Sequence, residues 1–236
     1  MVKTFFVIAL SAFFLLGGGP REYTPIENVY HRVCTEEKVI AITFDDGPHP
    51  QNTEKVLDLL QKYDAKATFF VIGKNLELYK SVIKRAVNEG HEIGNHTYSH
   101  PHLSTLSEKE LLGEIKQNEL LVEELTQKPT LLFRPPEGYC GRAVRTIIKE
   151  RGYRAILWDV DTRDWAGTSA DEIVKTVQKT VYPGSILLFH DYAGKQSTTL
   201  GALAVLLPWL KEEGYRFVTV SELLNYSSRG SVSSSS

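Results

Sequence analysis

Two adjacent carboxylates, Asp45 and Asp46, end the apolar run Val39 to Phe44 and are followed at once by Gly47-Pro48. Like charges side by side repel, so a pair at a strand end needs a reason. A bound cation is one: it makes one carboxylate a ligand and leaves the other to handle protons. Read alone, residues 43–47 would equally suit a solvated turn. His96 and His100 stand four apart, a spacing that puts both imidazoles on one side of a helical turn. Two histidines and a carboxylate form a common zinc set with one position left for water; the plainer alternative is two surface histidines. In Arg134-Pro135-Pro136-Glu137-Gly138 two prolines stiffen the backbone. The segment could hold Arg134 against a carboxylate and offer the N–H of Glu137 or Gly138 to a developing oxyanion, or simply be a rigid turn. His190 ends the run Ile186 to Phe189. Such a histidine is often a satisfied core residue, but Asp164 could orient it and keep it protonated, as a general acid requires. His31, His49, His91 and His102 read as surface or supporting residues, Trp158 and Trp209 as core, and Asp159 as structural; Asp161 is left open.

The elements that carry these residues follow from hydrophobic periodicity. Strands are expected over 38–44, 67–72, 91–95, 130–133, 154–160, 185–189 and 215–220. Helices are expected over 53–63, 76–88, from the capping box at 107–110 to about 127, over 142–150, over 169–181 with Ser169 as N-cap, over 198–213 with a bend or restart at Pro208, and over 221–224. The strands are short and apolar on both faces, as parallel strands covered by helices are. The fold class is α/β, a distorted or incomplete (β/α) barrel with about seven parallel strands, with an open doubly wound sheet as the alternative. Each polar cluster falls at the carboxyl end of a strand, the active-site face of such barrels.

The chain has 236 residues, enough for one large domain, and its net charge of -2 argues against nucleic acid as a partner. Lys3 and an uncharged apolar run over 5–16 precede Gly17-Gly18-Gly19-Pro20. Residues 1–19 read as a signal peptide, or as an anchor attaching the chain to a membrane through residues 4–16 if uncleaved. Export, to the extracellular space or cell wall, is expected. Residues 20–37 read as a lead-in, 38–225 as the domain, and 226–236 as a Ser-rich disordered tail. Cys34 and Cys140 could pair in an exported protein, although Cys34 lies before the first strand and Cys140 after the fourth, at the opposite end. A monomer is expected.

Five motifs in order, residues 43–47, 96–100, 134–138, 161–165 and 188–190, give the chain its resemblance to the polysaccharide deacetylases of carbohydrate esterase family 4, the NodB-homology domain. The resemblance covers about residues 36–225. It implies a distorted (β/α) barrel. Asp46, His96 and His100 would bind a divalent metal, usually zinc, with cobalt, nickel or manganese as other candidates. Asp45 would be the general base, tethered by Arg134. The Glu137 N–H would face the oxyanion. His190, oriented by Asp164, would protonate the departing amine. Trp165 and Leu188 would line the acetyl pocket. The implied substrate is a polymer of N-acetylglucosamine or N-acetylmuramic acid, with an O-acetyl esterase or a non-catalytic glycan binder as alternatives. Many family members carry tyrosine where this chain has Glu137, which bears on sugar preference.

Overall fold

The computed structural model describes residues 27–191 and 198–226. The apolar segment 1–19 and the Ser-rich tail beyond Tyr226 lie outside the described residues. The strands are β1 (Val29–Tyr30), β2 (Val39–Asp45), β3 (Ala67–Val71), β4 (Glu92–Asn95), β5 (Leu132–Phe133), β6 (Arg154–Ile156), β7 (Val160–Asp161), β8 (Ile186–His190) and β9 (Arg216–Phe217). They form one parallel sheet in the order β1-β6-β5-β4-β3-β2-β8-β7, with β9 alongside the start of β2. The helices are α1 (Asn52–Lys62), α2 (Gly73–Leu78), α3 (Lys80–Asn88), α4 (Glu108–Thr126), α5 (Arg142–Arg151), α6 (Ala170–Thr180), α7 (Thr198–Glu212) and α8 (Val220–Leu224). The sheet curls into a distorted (β/α) barrel.

Side-chain alternation divides each strand between two cores. On β2, Ile40, Ile42 and Phe44 pack outward under the helices, together with Phe69 and Phe189. Val39 and Ala41 point inward with Phe70, Leu132, Ile156 and Ile186. The inward row continues through Thr43 to Asp45, so the period of the strand itself delivers Asp45 to the mouth of the barrel.

Four expectations change. The fifth strand, expected as one run over 154–160, is two: β6 pairs with β1 and β5 at one edge, and β7 pairs with β8 at the other. Residues 157–159 carry the chain across the gap, and Asp159 secures the crossing by accepting the Ile186 N–H at 2.7 Å and the Ser185 hydroxyl at 3.0 Å. The lead-in contains an edge strand, β1, too short to show periodicity. The helix expected over 76–88 starts earlier and breaks at Tyr79, whose ψ of 42° leaves the helical region. Pro208 lies within an uninterrupted α7. Ser107 and Ser169 cap their helices in full capping boxes, as expected. Cys34 and Cys140 are both free.

Candidate active site

Asp46 leaves the end of β2 with φ of 72°, a left-handed conformation that swings its carboxylate away from the strand direction. Its carbonyl accepts the Asn75 side-chain N–H at 2.8 Å, and the Gly47 carbonyl accepts the Ile72 N–H at 2.9 Å. The two histidines come from the loop after β4. That loop is not a helical turn, contrary to expectation: Thr97 and His100 sit at φ of 67° and 55°. The fold, not the i,i+4 geometry, brings the rings together, with centroids 5.0 Å apart.

Helix α4 shapes the loop. Its buried stripe is Leu111, Ile115, Asn118 and Val122. The amide of Asn118 donates to the carbonyls of Val71 at 2.7 Å and Thr97 at 2.9 Å and to Asn95 Oδ1 at 3.2 Å. Asn95 donates to the Ile115 carbonyl at 2.8 Å, and Glu114 accepts the Ser99 N–H at 2.7 Å. An asparagine in an apolar helical stripe is the sequence signal that would have revealed this support, since a buried polar side chain needs partners.

Oδ1 of Asp46 lies 3.5 Å from Nε2 of both His96 and His100. That is long for a hydrogen bond, and this buried oxygen has no hydrogen-bond partner among the described residues. One donor atom from each of Asp46, His96 and His100 falls within 4.8 Å of the others. Tetrahedral ligands at about 2.05 Å from zinc would stand about 3.3 Å apart, close to the 3.5 Å that separates Asp46 from each histidine. His96 Nδ1 is 2.7 Å from the Arg134 carbonyl, so the neutral ring, the form that binds a metal, carries its proton on Nδ1 and turns its Nε2 lone pair toward Asp46. Burial works against the charge of Asp46, but His96, His190 and His100 around it hold its carboxyl down at about 2. The orphaned oxygen, the spacing and the tautomer all fit a divalent cation.

Asp45 is buried beside this set, with Oδ2 3.8 Å from His96 Nε2. Arg134 donates to its Oδ1 at 2.7 Å. The Arg134 side chain is wholly buried. It also donates to Thr43 Oγ1 at 2.8 Å and to the carbonyls of Ile156 and Leu157 at 2.8 and 3.2 Å. Its guanidinium lies 4.1 Å above the Phe70 ring. Gly94 makes room for that ring: a Cβ there would sit 2.5 Å from it. A charge this deep is tolerable only when paired and hydrogen-bonded, so Arg134 and Asp45 are a unit.

His190 is the register partner of Asp45 across β2 and β8, which sets their backbones about 4.8 Å apart. Its Nδ1 is 2.7 Å from Asp164 Oδ1 and its N–H donates to Oδ2 at 2.8 Å. Thr199 on α7 donates to the same Oδ2 at 2.6 Å. Burial opposes a charged imidazole, but the bond to Asp164 and the carboxylates of Asp45 and Asp46 outweigh it, and the His190 pKa is pushed up to about 9. Leu188 is buried in the inward row of β8, and Trp165 is 59% exposed at the rim, with Arg163 against its ring. Glu137 has φ of 57° and pairs at the rim with His102 at 3.1 Å. Of the two N–H groups that the sequence offered to an oxyanion, that of Gly138 is engaged by the Pro135 carbonyl at 3.0 Å. His91 lies at the opposite, amino-terminal end of β4, where it accepts the Ala67 N–H at 3.2 Å. All ten residues singled out from the sequence therefore fall at one end of the barrel. Asn75, Asn95, Glu114, Asn118 and Thr199 are the supports that sequence reasoning missed.

Residues 32–156 match the family model described as polysaccharide deacetylase. The chain is 47% identical over 208 residues to a peptidoglycan-N-acetylglucosamine deacetylase of Bacillus cereus, covering 87% of this chain and 97% of the relative. A crystal structure of a peptidoglycan N-acetylglucosamine deacetylase superposes with a TM-score of 0.79 at 37% identity, over 83% of this chain and 92% of that one. A CE4 family pseudoenzyme from Bacillus anthracis matches at a TM-score of 0.77 and 30% identity, over 84% of this chain and 69% of that one. The chain belongs to the polysaccharide deacetylase family of carbohydrate esterase family 4.

Proposed function

We propose that the protein is an exported, metal-dependent N-deacetylase of N-acetylhexosamine polymers, with peptidoglycan as the first substrate to test. The observation that carries this reading is the convergence of three groups: the Asp46, His96 and His100 set, the buried Asp45–Arg134 pair and the His190–Asp164 pair. A glycan binder would have no use for a base, an acid and a ligand set together. Likeness of fold does not carry the point, since a pseudoenzyme shares it.

A divalent cation, zinc first among candidates, held by Asp46, His96 and His100 would supply Lewis acidity to water and to the acetamide carbonyl. Asp45 takes the proton of the attacking water, and Arg134 keeps its carboxylate fixed for that step. The Glu137 N–H faces the oxyanion as the carbonyl carbon becomes tetrahedral. His190, held in its charged form by Asp164, gives its proton to the amine nitrogen. The new C–O bond and the broken C–N bond yield acetate and the free amino sugar. Leu188 and Trp165 enclose the acetyl methyl. The name of the 47% identical relative supports N-acetylglucosamine in peptidoglycan, and the apolar segment over 5–16 supports export.

Acetate release should be measured on peptidoglycan, chitin oligomers and acetylated xylan, with and without a chelator. Chelator-sensitive release from the N-acetylated polymers is expected. Release from xylan alone would replace the reading with an O-acetyl esterase.

A further inference from the structure

Asp191 takes no part in the chemistry above, yet it is among the most deeply enclosed polar residues of the chain, with 0% of its surface exposed. It follows His190 directly at the end of β8. Its Oδ2 accepts the Thr53 hydroxyl at 2.5 Å. Its Oδ1 is buried without any hydrogen-bond partner among the described residues. An apolar side chain would fill the place without that loss, so stability alone does not account for a carboxyl group here.

What the carboxyl touches is the turn that carries Asp46. A Cβ at Gly47 would lie 2.4 Å from both Asp191 oxygens: the carboxyl packs on the Gly47 Cα, and only glycine fits beneath it. The Thr53 hydroxyl accepts the His49 N–H at 2.8 Å. A backbone N–H can only donate, so the hydroxyl proton is committed to Asp191. A continuous chain therefore runs from Asp191 through Thr53 to His49, and a second contact runs from Asp191 to Gly47. Together they brace the turn from outside the barrel mouth, opposite the bonds from Asn75 and Ile72. The braced residue, Asp46, holds a left-handed φ of 72°, a conformation that costs free energy for a residue other than glycine.

We propose that Asp191 is a positioning residue: by fixing the Asp46–Gly47 turn through Gly47 and Thr53, it aims the Asp46 carboxylate at the cation. The inference rests on the metal reading proposed above. Outer groups that orient a ligand typically change metal affinity by about 10–100-fold when removed, and the effect here is expected at the lower end, about tenfold.

The test is a titration of the metal-stripped protein with Co²⁺, followed by its visible spectrum, for wild type, Asp191→Asn, Thr53→Val, the double variant and His96→Ala. Asp191→Asn keeps the shape of the side chain and is expected to weaken Co²⁺ binding about tenfold and to alter the spectrum, while the metal-free protein unfolds near the wild-type temperature. Thr53→Val should produce a similar loss, and the double variant no more than the larger single loss, because both break one chain. Wild-type affinity and an unchanged spectrum in Asp191→Asn, with His96→Ala losing the ion, would overturn the positioning role and leave the metal reading standing. Should Asp191→Asn fail to fold, Thr53→Val decides, and unchanged affinity there overturns the proposal. A wild-type protein that takes up no Co²⁺ would overturn both.

Discussion

Replacing Arg134 with Met should destabilise the protein far more than its single ion pair suggests. The guanidinium is wholly enclosed and makes four hydrogen bonds, two of them to the carbonyls of Ile156 and Leu157. Methionine fills most of the volume but leaves the Asp45 carboxylate, 4% exposed, without its counter-charge. Breaking a buried pair in this way costs about 3–5 kcal/mol. In a fold of this size 1 kcal/mol corresponds to about 2–4 °C, so a fall of roughly 10 °C in Tm is expected. Asp45→Asn alone leaves the arginine unpaired and should also be costly. The double variant removes both charges, so its loss should be smaller than the sum of the two by about 2 kcal/mol or more. The assay is urea unfolding of the metal-free proteins, followed by circular dichroism, completed as a double-mutant cycle. Losses that add to within about 0.5 kcal/mol would refute the view that Arg134 and Asp45 act as a unit.

Asp164→Asn removes the charge that holds His190 protonated. With the His190 pKa raised from 6.5 to about 9, its share of the metal-free protein's stability is whole below about pH 6.5 and lost as the pH rises through about 9. The variant should flatten that dependence in thermal melts and move the alkaline limb of kcat/KM down by about one unit or more. Gly184→Ala should cost about 3 kcal/mol or more, because φ is 87° and a Cβ would meet the Val33 carbonyl oxygen at 1.8 Å; chemical denaturation measures this. Thiol titration of the native protein should find two free cysteines. Exposed Cys34 should react first, with Cys140 slower because burial raises its pKa.

The site was more legible in the sequence than the fold's details were. Asp45, Asp46, His96, His100, Arg134, Asp164 and His190 each sit at a strand end, and short apolar runs mark strand ends clearly. The break between β6 and β7 was not legible, because residues 155–160 read as one apolar run interrupted only by Asp159, and only pairing at opposite sheet edges separates its halves. The irregular loop of His96 to His100 was misread as helical because spacing reports a period and not a φ value. What sets that loop is a side chain 22 residues beyond His96, Asn118, acting through the Thr97 carbonyl. Asp191 carries no mark in the sequence as a support of Asp46. Its partners Thr53 and Gly47 are 138 and 144 residues distant in sequence, and only parallel pairing of β2 with β8 joins them.

The most direct test compares acetate release from peptidoglycan and from N-acetylglucosamine oligomers by wild type and Asp45→Asn, with bound metal quantified in both proteins. The expected result is chelator-sensitive release by wild type and a loss of at least about 100-fold in the variant, with the metal content unchanged. An Asp45→Asn protein that releases acetate at the wild-type rate, or a folded, metal-loaded wild type that releases none, would contradict hydrolysis at this site.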